Sequence, residues 1–153
     1  MHDLVTRPSI PAMSPAAIAR VREIERLERE KPQVPIHTTH LLHRDAGLYV
    51  RTVLVPAGVR ITSVLIKIAT VLIVDGHAVV YLGDEKVELQ GHADLAAAAG
   101  RKQVIEAIVD TYLTMIFATK ARTVEEAERE FTDETDLLAS HRDGLNDVIV
   151  TGE

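Results

Sequence analysis

Seven short stretches rich in Val, Ile, Leu and Thr follow one another between residues 34 and 117: "VPIHTTHLLH", "GLYVRTVLVPAG", "VRITSVLIKI", "TVLIVDG", "HAVVYLGDE", "KVELQG" and "QVIEAIVDTYLTMIF". Turn formers separate them: Asp45-Ala46-Gly47, Pro56-Ala57-Gly58, Asp75-Gly76, Gly83-Asp84 and Gly91. Many short strands at this spacing indicate a β-sandwich or barrel. Within this region "ADLAAAAG" has good helix propensity but meets a glycine too early, and it reads as a connection.

Helical signals flank the β region. Residues 1–13, with two prolines, read as a loose arm. Ser14-Pro15 is a helix start, a hydroxyl cap followed by proline at the first helical position. Ile18, Val21, Ile24 and Leu27 recur every three residues among charged neighbours, and Lys31-Pro32 ends the helix. Its apolar stripe packs on its own barrel or on a neighbouring subunit. After the β region, Thr123 and Glu126 form a capping box, and a second start at Thr132 or Asp133 leads towards His141. "DVIV" near the end reads as an edge strand or a docked tail. The expected organisation is therefore an arm and helix over 1–33, a barrel over 34–120 and a helical segment with a tail over 121–153.

Composition narrows the function classes. Seventeen Lys and Arg stand against 23 Asp and Glu, a formal charge of −6, so there is no basic footprint for nucleic acid. The absence of cysteine removes disulfides, thiolate zinc sites and a Cys nucleophile together. The most apolar region is interrupted by Lys67 and no signal-peptide core is visible, so a cytoplasmic protein with no membrane partner is expected. The serines lack a nucleophile-elbow context.

The order of a helix, a β region with a "PAG" turn, a glycine-bounded hairpin and "DTYLTMIFATKARTVEEAEREFTDE" resembles the cupin superfamily, more closely the cupin-like proteins of phages and prophages of proteobacteria. The resemblance covers residues 37–134. It implies a mainly β fold, a cupin-like jelly-roll β-barrel with an N-terminal amphipathic helix and short C-terminal helices. Counting from Gly58, the two histidines of the first cupin motif fall on Val64 and Ile66, the glutamate on Thr70 or Val71, and the closing glycine near Gly76. In the second motif, Ala98, Ala99 and Gly100 take the turn and Gln103 takes the histidine position. Every ligand that the family pattern implies is thus replaced. Val64, Ile66 and Ile68 share one side of a strand, and if that side faces inward they fill the barrel with hydrocarbon.

Other candidates are weaker. His37, His40 and His43 in "IHTTHLLH" would share a helix face, but in a strand His40 points opposite to the other two. A site joining His40, His43, His77 or His92 is the remaining route to a metal; His2 and His141 lie in the terminal regions. The late strand is apolar on both sides, which asks for two covers. That makes Ala96, Ala97, Ala98, Ala99, Ile105, Ala107, Ile108 and Val109 a candidate interface with a second copy of the chain. The alanine run reads as natural drift or as a surface rebuilt for self-assembly.

The leading expectation is a homo-oligomer, a dimer, trimer or larger assembly, with a structural role and no catalysis, cofactor or metal. The alternative is a metal-independent barrel for a small molecule such as a sugar or hydroxy acid. That alternative needs Gln103, Thr62, Thr70 or Tyr112 turned into an open interior.

Overall fold

The computed structural model describes residues 9–143 and 145–153. Helix α1 (Pro15–Glu28) begins as the sequence indicates: Ala17 N–H donates to the Ser14 hydroxyl at 3.1 Å. Ala17 and Val21 are its buried residues, whereas Leu27 is 48 % exposed. A repeat of three drifts around a helix of 3.6 residues per turn, so the stripe leaves the contact face within three turns. The preceding segment is not loose where it is described. Ile10 is buried and pairs with Ala97, its N–H donating to Ala96 O at 3.0 Å. Residues 1–8, with His2, lie outside the described residues.

Among the described residues, eight strands form one mixed sheet: β1 (His37–His43), β2 (Leu48–Val55), β3 (Arg60–Thr62), β4 (Thr70–Leu82), β5 (Glu85–Ala97), β6 (Val104–Ala107), β7 (Thr111–Ala118) and β8 (Asn146–Thr151). The order is β3-β6-β4-β7-β2-β1-β8, with β5 added against β4. Every pairing is antiparallel except β1 with β8. The sheet curls into a half-barrel, a mainly β, jelly-roll-like architecture.

The curl is organised by β4. One edge of this strand pairs with β5 along its whole length. The other pairs with β7 over Val71–Asp75 and with β6 over Ala78–Tyr81. The β6–β7 turn enters at the break, where Ile108 N–H donates to His77 O at 2.8 Å and the Thr111 hydroxyl bonds the same carbonyl. This explains Gly76, whose φ is +144° and whose missing Cβ would lie 2.6 Å from Thr111 Oγ1. Asp75-Gly76 and Gly91 are therefore not turns, as the sequence suggests. They lie within strands, and Gly76 pairs with Gly91.

Other boundaries move for similar reasons. "ADLAA" is not a connection but the end of β5, held on both edges by β4 and Ile10. "QVIEAIVDTYLTMIF" splits into β6 and β7 at the exposed turn Ile108, Val109, Asp110. In "VRITSVLIKI" only Arg60–Thr62 is strand; Ile66 makes an isolated bridge to Arg101, and Lys67 N–H donates to Phe131 O at 2.9 Å. Helix α2 (Val124–Phe131) is capped at Thr123, whose hydroxyl accepts from Glu126 N–H at 3.2 Å. A 3-10 turn (Thr135–Leu137) and α3 (Ala139–Asp143) follow, and "DVIV" is indeed an edge strand in β8. Among the described residues no helix is long and apolar enough to cross a membrane.

Two apolar clusters face each other inside the curl. One gathers Val55, Leu72, Val74, Val80, Leu95, Ile105 and Leu113. The other gathers Leu42, Tyr49, Val64, Ile66, Met115, Phe117, Phe131 and Leu138. Helix α1 is tied across one side of the barrel. Gly83 leaves no room for a Cβ beside Ala17, and the wholly buried Lys102 Nζ donates to Glu25 at 3.0 Å and to Ser63 O at 2.8 Å.

Candidate site in the barrel cavity

A cavity of about 800 Å³ lies where the two clusters meet. Its wall takes Leu72, Ile105 and Leu113 from one cluster and Val64, Ile66, Met115, Phe131 and Leu138 from the other. The expectation of a solid interior is corrected here. Val64 and Ile66 do point inward, at 6 and 8 % exposure, but as the wall of an open space; Ile68 is only partly buried. The cause is volume: the chain has no Trp and only two Phe and three Tyr, and short aliphatic side chains do not reach the centre of a curled sheet.

Polar side chains share the lining, among them Glu28, Glu106, Asp136, Arg51, Arg101 and Gln103. Alternation explains the last two. Residues 101 and 103 point into the barrel while Lys102 points to α1. Arg101 is 1 % exposed. Its Nη1 donates to Ala98 O at 2.7 Å and Ile68 O at 3.3 Å, and its Nη2 donates to Thr70 Oγ1 at 2.7 Å. All of these acceptors are neutral, and Arg101 Nε–H has no partner. Burial lowers its pKa to about 10. Gln103 is 2 % exposed; its backbone is bonded to Ser63, yet its side-chain Nε2 is also unpartnered.

Arg51 is satisfied in contrast. It donates to Glu128 at 3.1 Å, to Ser140 Oγ at 2.8 Å and to the Tyr49 hydroxyl at 3.3 Å, with its guanidinium 5.6 Å from the centre of the Phe131 ring. Glu128 also bonds His141 at 2.8 Å. Tyr49 continues the network to His40 at 2.7 Å, and His40 to Asn146 on β8, also at 2.7 Å. Burial holds the His40 imidazole below its usual pKa, and it raises that of the Tyr49 phenol.

The positions singled out from the sequence separate accordingly. Val64, Ile66 and Gln103 line the cavity, and Thr70 lies beside it as the partner of Arg101. Val71 is 45 % exposed on the opposite side of β4. Thr62 lines the cavity, whereas Tyr112, expected inward, is 50 % exposed. The histidines do not meet: His43 bonds Thr151, His77 bonds Glu88, His92 bonds Asp94 and His37 bonds Asp147. Among the described residues no three His, Asp or Glu side chains are placed to hold a metal ion. Two hydrocarbon side chains, an amide, a threonine hydroxyl and a guanidinium do not fit one either.

The candidate interface also divides. Ala97, Ile105 and Ala107 are buried in the barrel, so the strand's second apolar side is covered from within. Ala96 and Ala99 are exposed, Ala98 is half-buried, and Ile108 and Val109 sit apart from them on the β6–β7 turn. Arg101 is not among the positions singled out from the sequence; its spacing of two from Gln103 is the signal that its side chain shares that residue's side of the chain.

No family model and no curated protein matches the sequence. Solved structures do match the fold. A cupin superfamily protein of Desulfitobacterium hafniense matches over 75 % of this chain and 99 % of its own, at 16 % identity and a TM-score of 0.46. The salicylate 1,2-dioxygenase of Pseudaminobacter salicylatoxidans matches over 84 % of this chain and 42 % of its own, at 14 % identity and a TM-score of 0.50. The fold is that of the cupins. An ectoine synthase of P. lautus also matches, over 63 % of this chain and 75 % of its own at 19 % identity and a TM-score of 0.45. The expectation that the chain is not an enzyme is corrected by the likeness in fold to the salicylate 1,2-dioxygenase, which is an enzyme. Residues 64 and 66 alone do not exclude catalysis. At these identities the likeness is one of fold.

Proposed function

We propose that this cupin-fold chain is a small-molecule-binding barrel that works without a metal ion. One observation carries the reading. The interior holds a cavity of about 800 Å³ whose lining joins aliphatic side chains of both clusters to polar residues that include Arg51, Arg101 and Gln103. Ligand sites have this form, mostly apolar with a few placed polar groups, and volumes of roughly 300–1,000 Å³. The test is uptake of the neutral fluorophore N-phenyl-1-naphthylamine. Saturable binding is expected for the native protein, with strong loss in Val64→Trp and Ile66→Phe, which fill the wall. Equal binding in all three proteins would place the dye elsewhere and refute the reading.

A second reading, self-association, is favoured by the outer side of the sheet. The strand registers align Ile149, Leu41, Val50, Ile116, Val71 and Ala96 in one row across six strands, all exposed or half-buried. A continuous apolar row on the outer side of a sheet can pair with its own copy across a two-fold axis. The occupant proposed is therefore a second copy of this chain. Native mass spectrometry is expected to show a dimer that Val71→Lys converts to monomer. A monomeric parent protein would remove this reading and leave the first intact.

A further inference from the structure

We infer that the barrel cavity takes a small organic monocarboxylate, its anionic head on Arg101 and Gln103 and its apolar body against the cavity wall. The inference rests on the binding-barrel reading and names its ligand class.

Two arginines share one cavity and are treated differently. Arg51 has its counter-charge built in, Glu128 at 3.1 Å. Arg101 is as deeply buried and has none: its three oxygen acceptors are two backbone carbonyls and a threonine hydroxyl. A buried cation left without an anion costs several kcal/mol unless something neutralises it. The chain keeps the charge and leaves its Nε–H without a partner. Gln103, two residues along on the same side, leaves Nε2 unpartnered as well. Two unsatisfied donors, one of them cationic, on residues that line one cavity define a receptor for an anion.

The donor inventory selects the anion. Both Nη1 hydrogens are engaged by Ala98 and Ile68, and one Nη2 hydrogen by Thr70. The other Nη2 hydrogen has only the Met115 sulfur at 4.0 Å. Nε and Gln103 Nε2 are left, one donor for each oxygen of a carboxylate. A phosphate dianion would bring three oxygens and two charges to the single charge of Arg101. A monocarboxylate brings one acceptor oxygen to each of these two nitrogens and a single charge to balance that of Arg101.

The test compares 2-naphthoate with its neutral isostere 2-naphthamide by isothermal titration calorimetry, with N-phenyl-1-naphthylamine uptake as an independent readout of the cavity. The acid is expected to bind at least tenfold more tightly than the amide and to displace the dye. Arg101→Gln is expected to abolish that preference while still taking up the dye. Should Arg101→Gln fail to fold, Gln103→Leu serves, since it removes one donor and no charge; the preference is expected to shrink severalfold. Equal binding of acid and amide to a protein that takes up the dye would overturn the carboxylate assignment and spare the binding barrel. No dye uptake at all would overturn both.

Discussion

Replacing Glu128 with glutamine removes one charge from a carboxylate that is 3 % exposed and leaves Arg51, 9 % exposed, without its counter-charge. At a separation of 3.1 Å the gross attraction is about 5 kcal/mol for an effective dielectric of about 20. Most of this offsets the desolvation of the two ions. The single substitution, however, forfeits the attraction and keeps the cost of burying the guanidinium. Breaking such a pair costs roughly 3–5 kcal/mol, and the amide still offers Arg51 an oxygen, so about 3 kcal/mol is expected for Glu128→Gln. For a chain of this size that lowers the melting temperature by roughly 6–12 °C. Arg51→Met combined with Glu128→Leu removes both ions and should recover most of the loss, because hydrocarbon of similar volume replaces a pair whose net contribution is small. Urea unfolding of the native protein, Arg51→Met, Glu128→Leu and the double variant closes the cycle, with an expected coupling near 3 kcal/mol. The reasoning would be refuted by a Glu128→Gln cost below about 1 kcal/mol with no coupling, as water in the adjoining cavity would then be screening Arg51.

Further outcomes follow from single positions. Gly76→Ala places a Cβ 2.6 Å from Thr111 Oγ1 and 2.9 Å from Asp110 O, whereas Gly58→Ala meets nothing within 4 Å. Both pay for a positive φ, so urea unfolding should show Gly76→Ala as the costlier by at least about 1 kcal/mol, the part due to overlap. Stability should also fall on acidification in two stages. Burial lowers the His40 pKa from 6.5, so the unfolded chain takes up that proton first and stability declines as pH falls from 6.5 through the folded-state value. Glu134 is lowered from 4.5: burial alone would raise it, but the Leu65 N–H, Arg22 and Lys102 prevail, and their contribution is lost as pH falls below 4.5. Urea midpoints across pH 3–8 check both stages, and His40→Gln should remove only the upper one.

The sequence carried the architecture well where the signal was local. Ser14-Pro15 and Thr123 cap helices, and the period-two runs in β1, β2 and β7 have buried residues at every second position over much of their length. It misled where a residue acts through a distant neighbour. Gly76 reads as a turn because Asp-Gly often is one, yet its glycine is required by Thr111, 35 positions on. Ile105 and Ala107 read as surface because nothing local tells a strand that the barrel closes over it. Arg101 was illegible for the same reason: its burial is decided by Ile68 and Thr70, which only the folded chain brings beside it.

That last residue leads to one more measurement. Val64 and Ile66 line the cavity, and a permanently charged guanidinium, that of Arg101, lines it with them. A fixed cation needs no loading, so binding that depends on Arg101 should not respond to chelation. Dye uptake and 2-naphthoate affinity are expected to be unchanged within twofold after exhaustive dialysis against EDTA. Loss of binding that zinc or iron(II) then restores would mean that side chains outside the wall, His40 or its neighbours, rearrange to make a metal site. It would also mean that the charge on Arg101 repels the ion less than its burial implies. Retention of 2-naphthoate binding in EDTA, with loss of the preference for the acid in Arg101→Gln, leaves the guanidinium as the group that recognises the ligand.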